Sequence, residues 1–356
     1  MMTRALALAE LGMFTTTPNP RVGCVIARDD LIVGEGWHER AGEAHAEVRA
    51  LDDARARGND PRDATAYVTL EPCNHHGRTP PCTDALIAAG VERVVAAMHD
   101  PHSAAGGGAD RLKGAGLTIE VGLLEDAARD LNIGWLHRLA HGRPWIRVKV
   151  AASVDGGTAL ENGASQWITG EEARADGHRW RARACAILTG IGTVRQDDPR
   201  LTVRAIATSR QPIKIVVDRD GDLPATARVL EGGEVILVTA TTPARSLPAN
   251  VQVITVPGRD GRIDLRAMAT ALGKREINEL HVEAGAKLNG AMLAAGIVDE
   301  LLLYVAPCLL GDSARGMFAL PSPLTRLDER TPIEVRSIDP VGADWRIVAR
   351  IDRTST

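Results

Sequence analysis

Three short segments restrict the possible folds of this chain more than any others: His45-Ala46-Glu47, Pro72-Cys73 and Cys82. One imidazole and two thiolates match the donor set of a tetrahedral zinc ion, and three protein ligands leave the fourth position to water. Any fold that uses them must bring a helix start, a strand end and a second helix start to one point. Glu47 follows His45 into the first turn of a predicted helix over 45–57, where it faces the metal without ligating it. A proton shuttle needs that placement. Cys82 opens a second predicted helix, 82–89, whose aligned N–H groups favour thiolate, and Cys73 follows a strand over 65–70. The order H-x-E, P-C, Cys is the zinc-deaminase signature, in which activated water displaces an amine from a ring carbon. Eight residues, Asn74–Pro81, separate the two cysteines where the usual pattern has two. Their two prolines and Gly77 suggest a rigid loop reaching over the substrate. The bland alternative is a structural zinc site in a nucleotide-binding or scaffold protein, closed by His38, His75 or His76. Asn19, between Pro18 and Pro20, is either a pyrimidine-reading amide or a turn residue.

Charge narrows the partners. Residues 1–141 hold 14 Lys/Arg against 20 Asp/Glu, and residues 142–356 hold 28 against 26. The acidic first part has little electrostatic reason to seek nucleic acid, and its few aromatics are scattered. The second part is Arg-rich enough to hold small phosphorylated molecules. Five cysteines, an odd and sparse count, argue against a disulfide framework and for a reducing cytoplasm. Cys24, Cys185 and Cys308 read as packed core thiols. The longest apolar run, 301–310, is too short for a membrane span and contains Pro307. The N-terminus reads as an amphipathic helix over 3–11, not a leader.

Alternating strand and helix patterns predict two α/β domains, 1–141 and 142–356, with the break at His141-Gly142-Arg143-Pro144-Trp145. In the first, strands at 22–27 and 31–37 form a hairpin around Asp29-Asp30, and another strand covers 91–98. The segment 101–111, with Gly106-Gly107-Gly108, is expected to be mobile. In the second, strands are expected at 146–151, 184–189, 213–218, 235–239, 251–256, 280–283 and 300–306, with a closing hairpin over 333–337 and 345–351. Helices are expected at 170–183, 264–272 and 291–295. This is a three-layer α/β/α arrangement with an antiparallel edge. It contains no G-x-G-x-x-G. Gly285, between a strand and a helix, could cradle phosphate or be an ordinary connection. Lys149, on a central strand, needs a partner such as Asp155 or a ligand ribose.

The segments TPNPRVGCVI, GEGWHERAGEAHAEVRAL, AYVTLEPCNHHGRTPPCTDALIAAGVERVV, KVAASVDG, SQWITG, VRQDDPRLTVR, HVEAGAKLNGAML and LLLYVAPCLLG resemble, in order, the bifunctional riboflavin-biosynthesis deaminase/reductase family. The resemblance implies a cytidine-deaminase-like domain followed by a dihydrofolate-reductase-like domain. It implies zinc-dependent deamination of 2,5-diamino-6-ribosylamino-4(3H)-pyrimidinone 5′-phosphate, then NADPH-dependent reduction of the ribosyl group to the ribityl product. It places zinc on His45, Cys73 and Cys82, the proton donor on Glu47 and a substrate contact on Asn19. It places NADPH against Ala151, Trp167, Thr193, Asp197 and the turn Gly285, Ala286, Lys287, Leu288, Asn289, Gly290 and Ala291. It places substrate against Ser165, Arg181, Leu201, Arg204 and Glu283, with Arg181 and Arg204 as a phosphate clamp. It further implies a homo-oligomer assembled through the reductase half. The chain departs from the family at Asp100-Pro101-His102, where Asp-Pro-Asn is usual, and in the short connection from Arg204 to Gln211. The competing expectation is a zinc deaminase of nucleobases in nucleic acid, fused to an unrelated C-terminal module.

Overall fold

Residues 1–76, 80–102 and 106–353 are described by the structure, a computed structural model. The chain divides into two units, Met1–His141 and Gly142–Thr356.

The first unit runs α1 (Met2–Leu11), β1 (Gly23–Arg28), β2 (Leu31–Trp37), α2 (Ala46–Ala56), β3 (Thr65–Val68), α3 (Cys82–Ala88), β4 (Arg93–Ala96), α4 (Gly108–Gly114), β5 (Thr118–Val121), α5 (Glu125–Leu131) and α6 (Ile133–His141). Its sheet has the order β2-β1-β3-β4-β5, with β1 antiparallel to β2 and β3, and β3, β4 and β5 parallel. Helix α2 buries Ala46, Glu47, Ala50, Leu51 and Ala54. It reaches the sheet because β2 carries glycine where they touch. A Cβ on Gly34 would stand 2.3 Å from the Ala50 carbonyl oxygen, and one on Gly36 would stand 2.5 Å from Arg49 Cβ. This close approach fixes the helix start that holds His45 and Glu47.

The second unit runs β6 (Trp145–Ser153), α7 (Glu171–Arg183), β7 (Ala186–Gly190), α8 (Ile191–Asp197), β8 (Ile213–Val217), β9 (Val235–Thr239), β10 (Val251–Thr255), α9 (Leu265–Gly273), β11 (Glu279–Val282), α10 (Ala286–Ala294), β12 (Glu300–Ala306), β13 (Ile333–Val341) and β14 (Asp344–Ile351). The sheet order is β10-β9-β8-β7-β11-β6-β12-β14-β13. Pairing is parallel from β10 to β12 and antiparallel at β12–β14 and β14–β13, the expected edge. Interior strands such as β9, buried at every residue, read as continuous apolar runs because helices cover both faces of a parallel sheet.

The elements with no sequence expectation are α4, β5, α5, α6 and α8. Three of these helices have only seven residues and lack a capping side chain. Such helices are held by tertiary packing, which leaves no local signal. Part of the segment expected to be mobile, from Gly108 on, is helix α4; residues 103–105 lie outside the described residues. Cys24 and Cys185 are buried as expected, whereas Cys308 is exposed, because the chain has left β12 two residues earlier.

Candidate active sites

In the first unit, His45 is the N-cap of α2, Cys73 lies beyond β3 and Cys82 is the first residue of α3. His45 Nδ1 lies 3.5 Å from Cys73 Sγ and 3.3 Å from Cys82 Sγ. The three donor atoms lie within 4.8 Å of one another and form the one such cluster among the described residues. Glu47 sits beside them, 3% exposed. Burial pushes its carboxyl up to about 6.

Of the two thiols, Cys73 rather than the helix-start Cys82 has the lowered pKa, against the expectation from the helix start. The Cys82 side chain and its N–H (3.4 Å) both hydrogen-bond to Cys73 Sγ, and Cys73 is held at about 4. Cys82, donating to Cys73 and buried, is pushed well up. The specific hydrogen bonds outweigh the dipole of a seven-residue helix. The pair shares one proton, and a divalent cation displaces such a proton on binding. One imidazole and two sulfurs at this spacing therefore fit zinc.

His38 does not close the cluster. Its Nδ1 meets the Ala44 carbonyl at 3.1 Å, and its Nε2 meets Asn19 Nδ2 at 3.1 Å. Burial lowers its pKa, so the neutral ring donates through Nδ1 and accepts the Asn19 amide at Nε2. The His38 ring stands edge-on to His45, 5.4 Å between centroids, which brings Asn19 toward the site. Of the insert expected to form a rigid loop, residues 77–79 lie outside the described residues. Glu71 was missed by sequence reasoning. It is buried, and it accepts from His99 Nδ1 (2.7 Å), Ala109 N–H (2.8 Å) and Asp100 N–H (3.3 Å). It ties the chain after β4 to the Cys73 segment. A lone acid in the apolar run Val68-Thr69-Leu70-Glu71 was the available signal.

In the second unit, Glu283 directly follows β11 and faces α7. Both its oxygens are held by Arg181, through Nε and through Nη2 at 2.7 Å. Arg181 Nη1 also donates to the Thr202 carbonyl at 3.1 Å. Arg181 is thus bound to Glu283 rather than clamped beside Arg204, because a buried carboxylate demands a cation. Arg204 is exposed, and its Nη1 donates to Thr202 Oγ1 at 3.1 Å. Leu201 is buried, with left-handed backbone at φ 51°. Lys149 does not pair with Asp155. Its Nζ lies 5.7 Å from the Tyr304 ring centroid and feels the charge of Glu283, whereas Asp155 accepts from Ser153, Leu310 N–H and Gly311 N–H.

The segment Gly285–Ala291 is a helix N-terminus rather than a turn: Gly285 is the N-cap of α10 and no side chain caps it. A Cβ on Gly285 would meet nothing within 4 Å, so there is open space beside this helix start. Asn289 and Gly290 are buried in the helix, whose close contact with Ala319 excludes any larger residue at Gly290. Strand β7, adjacent to β11, ends at Gly190, the uncapped N-cap of α8, which carries Thr193 and Asp197. Uncapped helix starts at the carboxyl ends of neighbouring parallel strands, the one at Gly285 with open space beside it, fit a dinucleotide phosphate. Trp167 is 70% exposed, so it is not a core residue, and the Arg174 guanidinium lies 4.6 Å from its ring centroid. Ser165 is half-buried in the loop before α7, and Ala151 is half-buried on β6.

A His/Cys/Cys cluster beside a buried carboxylate in one unit, and a doubly wound sheet with uncapped helix starts in the other, are the arrangement expected of a zinc deaminase joined to a nucleotide-dependent reductase. Residues 1–98 match the cytidine and deoxycytidylate deaminase zinc-binding region, and residues 144–345 match the RibD C-terminal domain. The riboflavin biosynthesis protein RibD of Escherichia coli is 48% identical, across 96% of both chains. A solved structure of Acinetobacter baumannii RibD is 41% identical with a TM-score of 0.89, covering 99% of this chain and 98% of that one. The diaminohydroxyphosphoribosylaminopyrimidine deaminase/5-amino-6-(5-phosphoribosylamino)uracil reductase of Thermotoga maritima is 31% identical with a TM-score of 0.90, covering 99% and 97%. The chain belongs to the RibD family. It is a bifunctional riboflavin-biosynthesis enzyme, a zinc-dependent deaminase and an NADPH-dependent reductase. A nucleic-acid deaminase with an unrelated C-terminal module is not favoured, since residues 144–345 are the reductase domain of this family. Among the described residues, no helix is long and apolar enough to cross a membrane.

Proposed function

We propose that residues 1–141 deaminate the diaminopyrimidine ribosyl 5′-phosphate and that residues 142–356 then reduce its ribosyl group, giving 5-amino-6-ribitylaminouracil 5′-phosphate. The observation that carries this reading is the His45–Cys73–Cys82 cluster with Glu47 beside it. His45, Cys73 and Cys82 would hold zinc, which when bound would activate water as a Lewis acid. Glu47 accepts the proton of that water and delivers it to the ring nitrogen and the departing ammonia. Its pKa of about 6 suits a group that must both take and give a proton. Asn19, its amide hydrogen committed to His38, offers its oxygen to the pyrimidine edge.

In the reductase, the open start of α10, Gly285–Ala291, receives the cofactor phosphates, with Ala151, Trp167, Thr193 and Asp197 around the rest of the molecule. Bound there, NADPH would supply the hydride that the reduction needs. Ser165, Leu201 and the Arg181–Glu283 pair line the substrate, Arg204 meets its phosphate, and the protein's task is orientation. The substrate is a small molecule rather than nucleic acid, in keeping with the acidic first unit. The protein works in the cytoplasm as a homo-oligomer joined through its reductase half. The exposed Ile333, Val335 and Ile338 on edge strand β13 support that assembly.

The test is product analysis by mass spectrometry, without and with NADPH. Deaminated product alone in the first sample, and ribityl product in the second, are expected. Glu47→Gln should abolish ammonia release while zinc content stays at one per chain. A variant that releases ammonia at the wild-type rate would overturn the role of Glu47.

A further inference from the structure

Between α8 and β8 the chain makes an irregular excursion that carries Leu201 and Arg204. Its backbone is strained, since Leu201 takes a left-handed φ of 51° with a branched side chain. Side chains hold its main-chain groups. Gln211 accepts the Val203 N–H at 2.8 Å and donates to the Val203 carbonyl at 3.1 Å. Arg181 donates to the Thr202 carbonyl at 3.1 Å. The Arg204 N–H donates to His178 Nδ1 at 3.2 Å. His178 and Arg181 stand three residues apart on α7, so both reach the segment from one helix face.

The surroundings suit an anion. Arg181, Arg204 and Lys149 act on His178 as cations, against the single carboxylate Glu283. Arg181 is committed to Glu283, which leaves Arg204 with no carboxylate partner among the described residues. Burial, then Arg181 and Arg204, holds the imidazole down at about 4, so it is neutral near pH 7. A neutral ring that accepts at Nδ1 carries its proton on Nε2.

We propose that His178 and Gln211 are positioning residues that present Arg204 to the substrate phosphate, and so set the preference of the reductase for phosphorylated over dephosphorylated ribosylaminouracil. This rests on the placement of Arg204 against substrate given under the proposed function. Neither residue touches the reacting atoms.

The test compares wild type, His178→Leu, His178→Asn and Gln211→Met on 5-amino-6-(5-phosphoribosylamino)uracil and its dephosphorylated analogue, with KM and kcat measured separately. His178→Leu removes the acceptor, and His178→Asn keeps one. The expected result is about a tenfold loss of kcat/KM in His178→Leu and Gln211→Met, mostly in KM, on the phosphorylated compound only. His178→Asn should recover most of it, and the KM for NADPH should not move in any variant. Equal losses on both compounds, or no loss, would overturn the proposal. If wild type itself does not prefer the phosphorylated compound, the assignment of Arg204 fails and the proposal with it. If wild type prefers it and His178→Leu keeps that preference, the proposal alone fails.

Discussion

Replacing Arg147 by Met strands buried charge at the centre of the reductase sheet. Arg147 is 1% exposed on β6. Its Nε donates to Glu300 and its Nη1 to Glu279 at 3.1 Å, and its guanidinium lies 4.4 Å from the Trp180 ring centroid. In Arg147→Met, Glu279 keeps Arg183 Nε at 2.7 Å, but the nearest cation left to Glu300 is Arg350 at 3.7 Å. Met fills most of the volume, so charge rather than cavity dominates. Removing one partner of a buried pair costs about 3–5 kcal/mol. For a unit of this size each kcal/mol is worth roughly 2–4 °C, so the reductase midpoint should fall by about 6–20 °C. The assay is the half-inactivation temperature of the reductase, with deaminase activity in the same tube as the reference. Adding Glu300→Gln should recover at least ~2 kcal/mol, because the stranded charge is gone. A single variant that loses less than ~1 kcal/mol would refute the idea that Glu300 depends on Arg147.

Three further outcomes can be checked. A strong zinc chelator should abolish ammonia release and leave NADPH oxidation on the deaminated compound unchanged, as two separate product assays would show. Gly108→Ala should damage the deaminase, since the new Cβ would stand 1.9 Å from the Pro72 carbonyl oxygen and force α4 away from the Cys73 segment. A cost of about 1–3 kcal/mol and lower zinc occupancy are expected, read by unfolding and metal analysis. Although burial opposes its charge, Glu283 is held well below its ordinary 4.5 by Arg181, His281 and Lys149. A lowered carboxylate contributes stability that is full above the unfolded value and is lost as pH falls toward the folded one. The reductase unit should therefore weaken below about pH 4.5, and Glu283→Gln should flatten that acid limb in unfolding measured across pH.

The strand alternation in both units was legible because apolar periodicity is a local property of a chain that must bury one face. The hairpin at Asp29-Asp30, the parallel interior of the second sheet and its antiparallel edge all follow from it. The short elements α4, β5, α5, α6 and α8 did not follow, since packing rather than propensity holds them. The resemblance puts Arg181 in a phosphate clamp with Arg204, and only the fold shows that Glu283 claims it. Glu71 and His178 carry no motif of their own, because each works by holding backbone that is distant in sequence, and Gln211 carries none because it braces an irregular loop.

By itself the sequence determined the metal chemistry. Donor type and order restrict His45, Cys73 and Cys82 to very few uses, and Glu47 is tied to His45 by two residues of helix. The tertiary structure decided how the two thiols meet, which cation is free to meet a phosphate and which carboxylate is already paired. Those depend on distances of 2.7–3.5 Å between residues tens of positions apart, and such distances exist only once the sheets have closed.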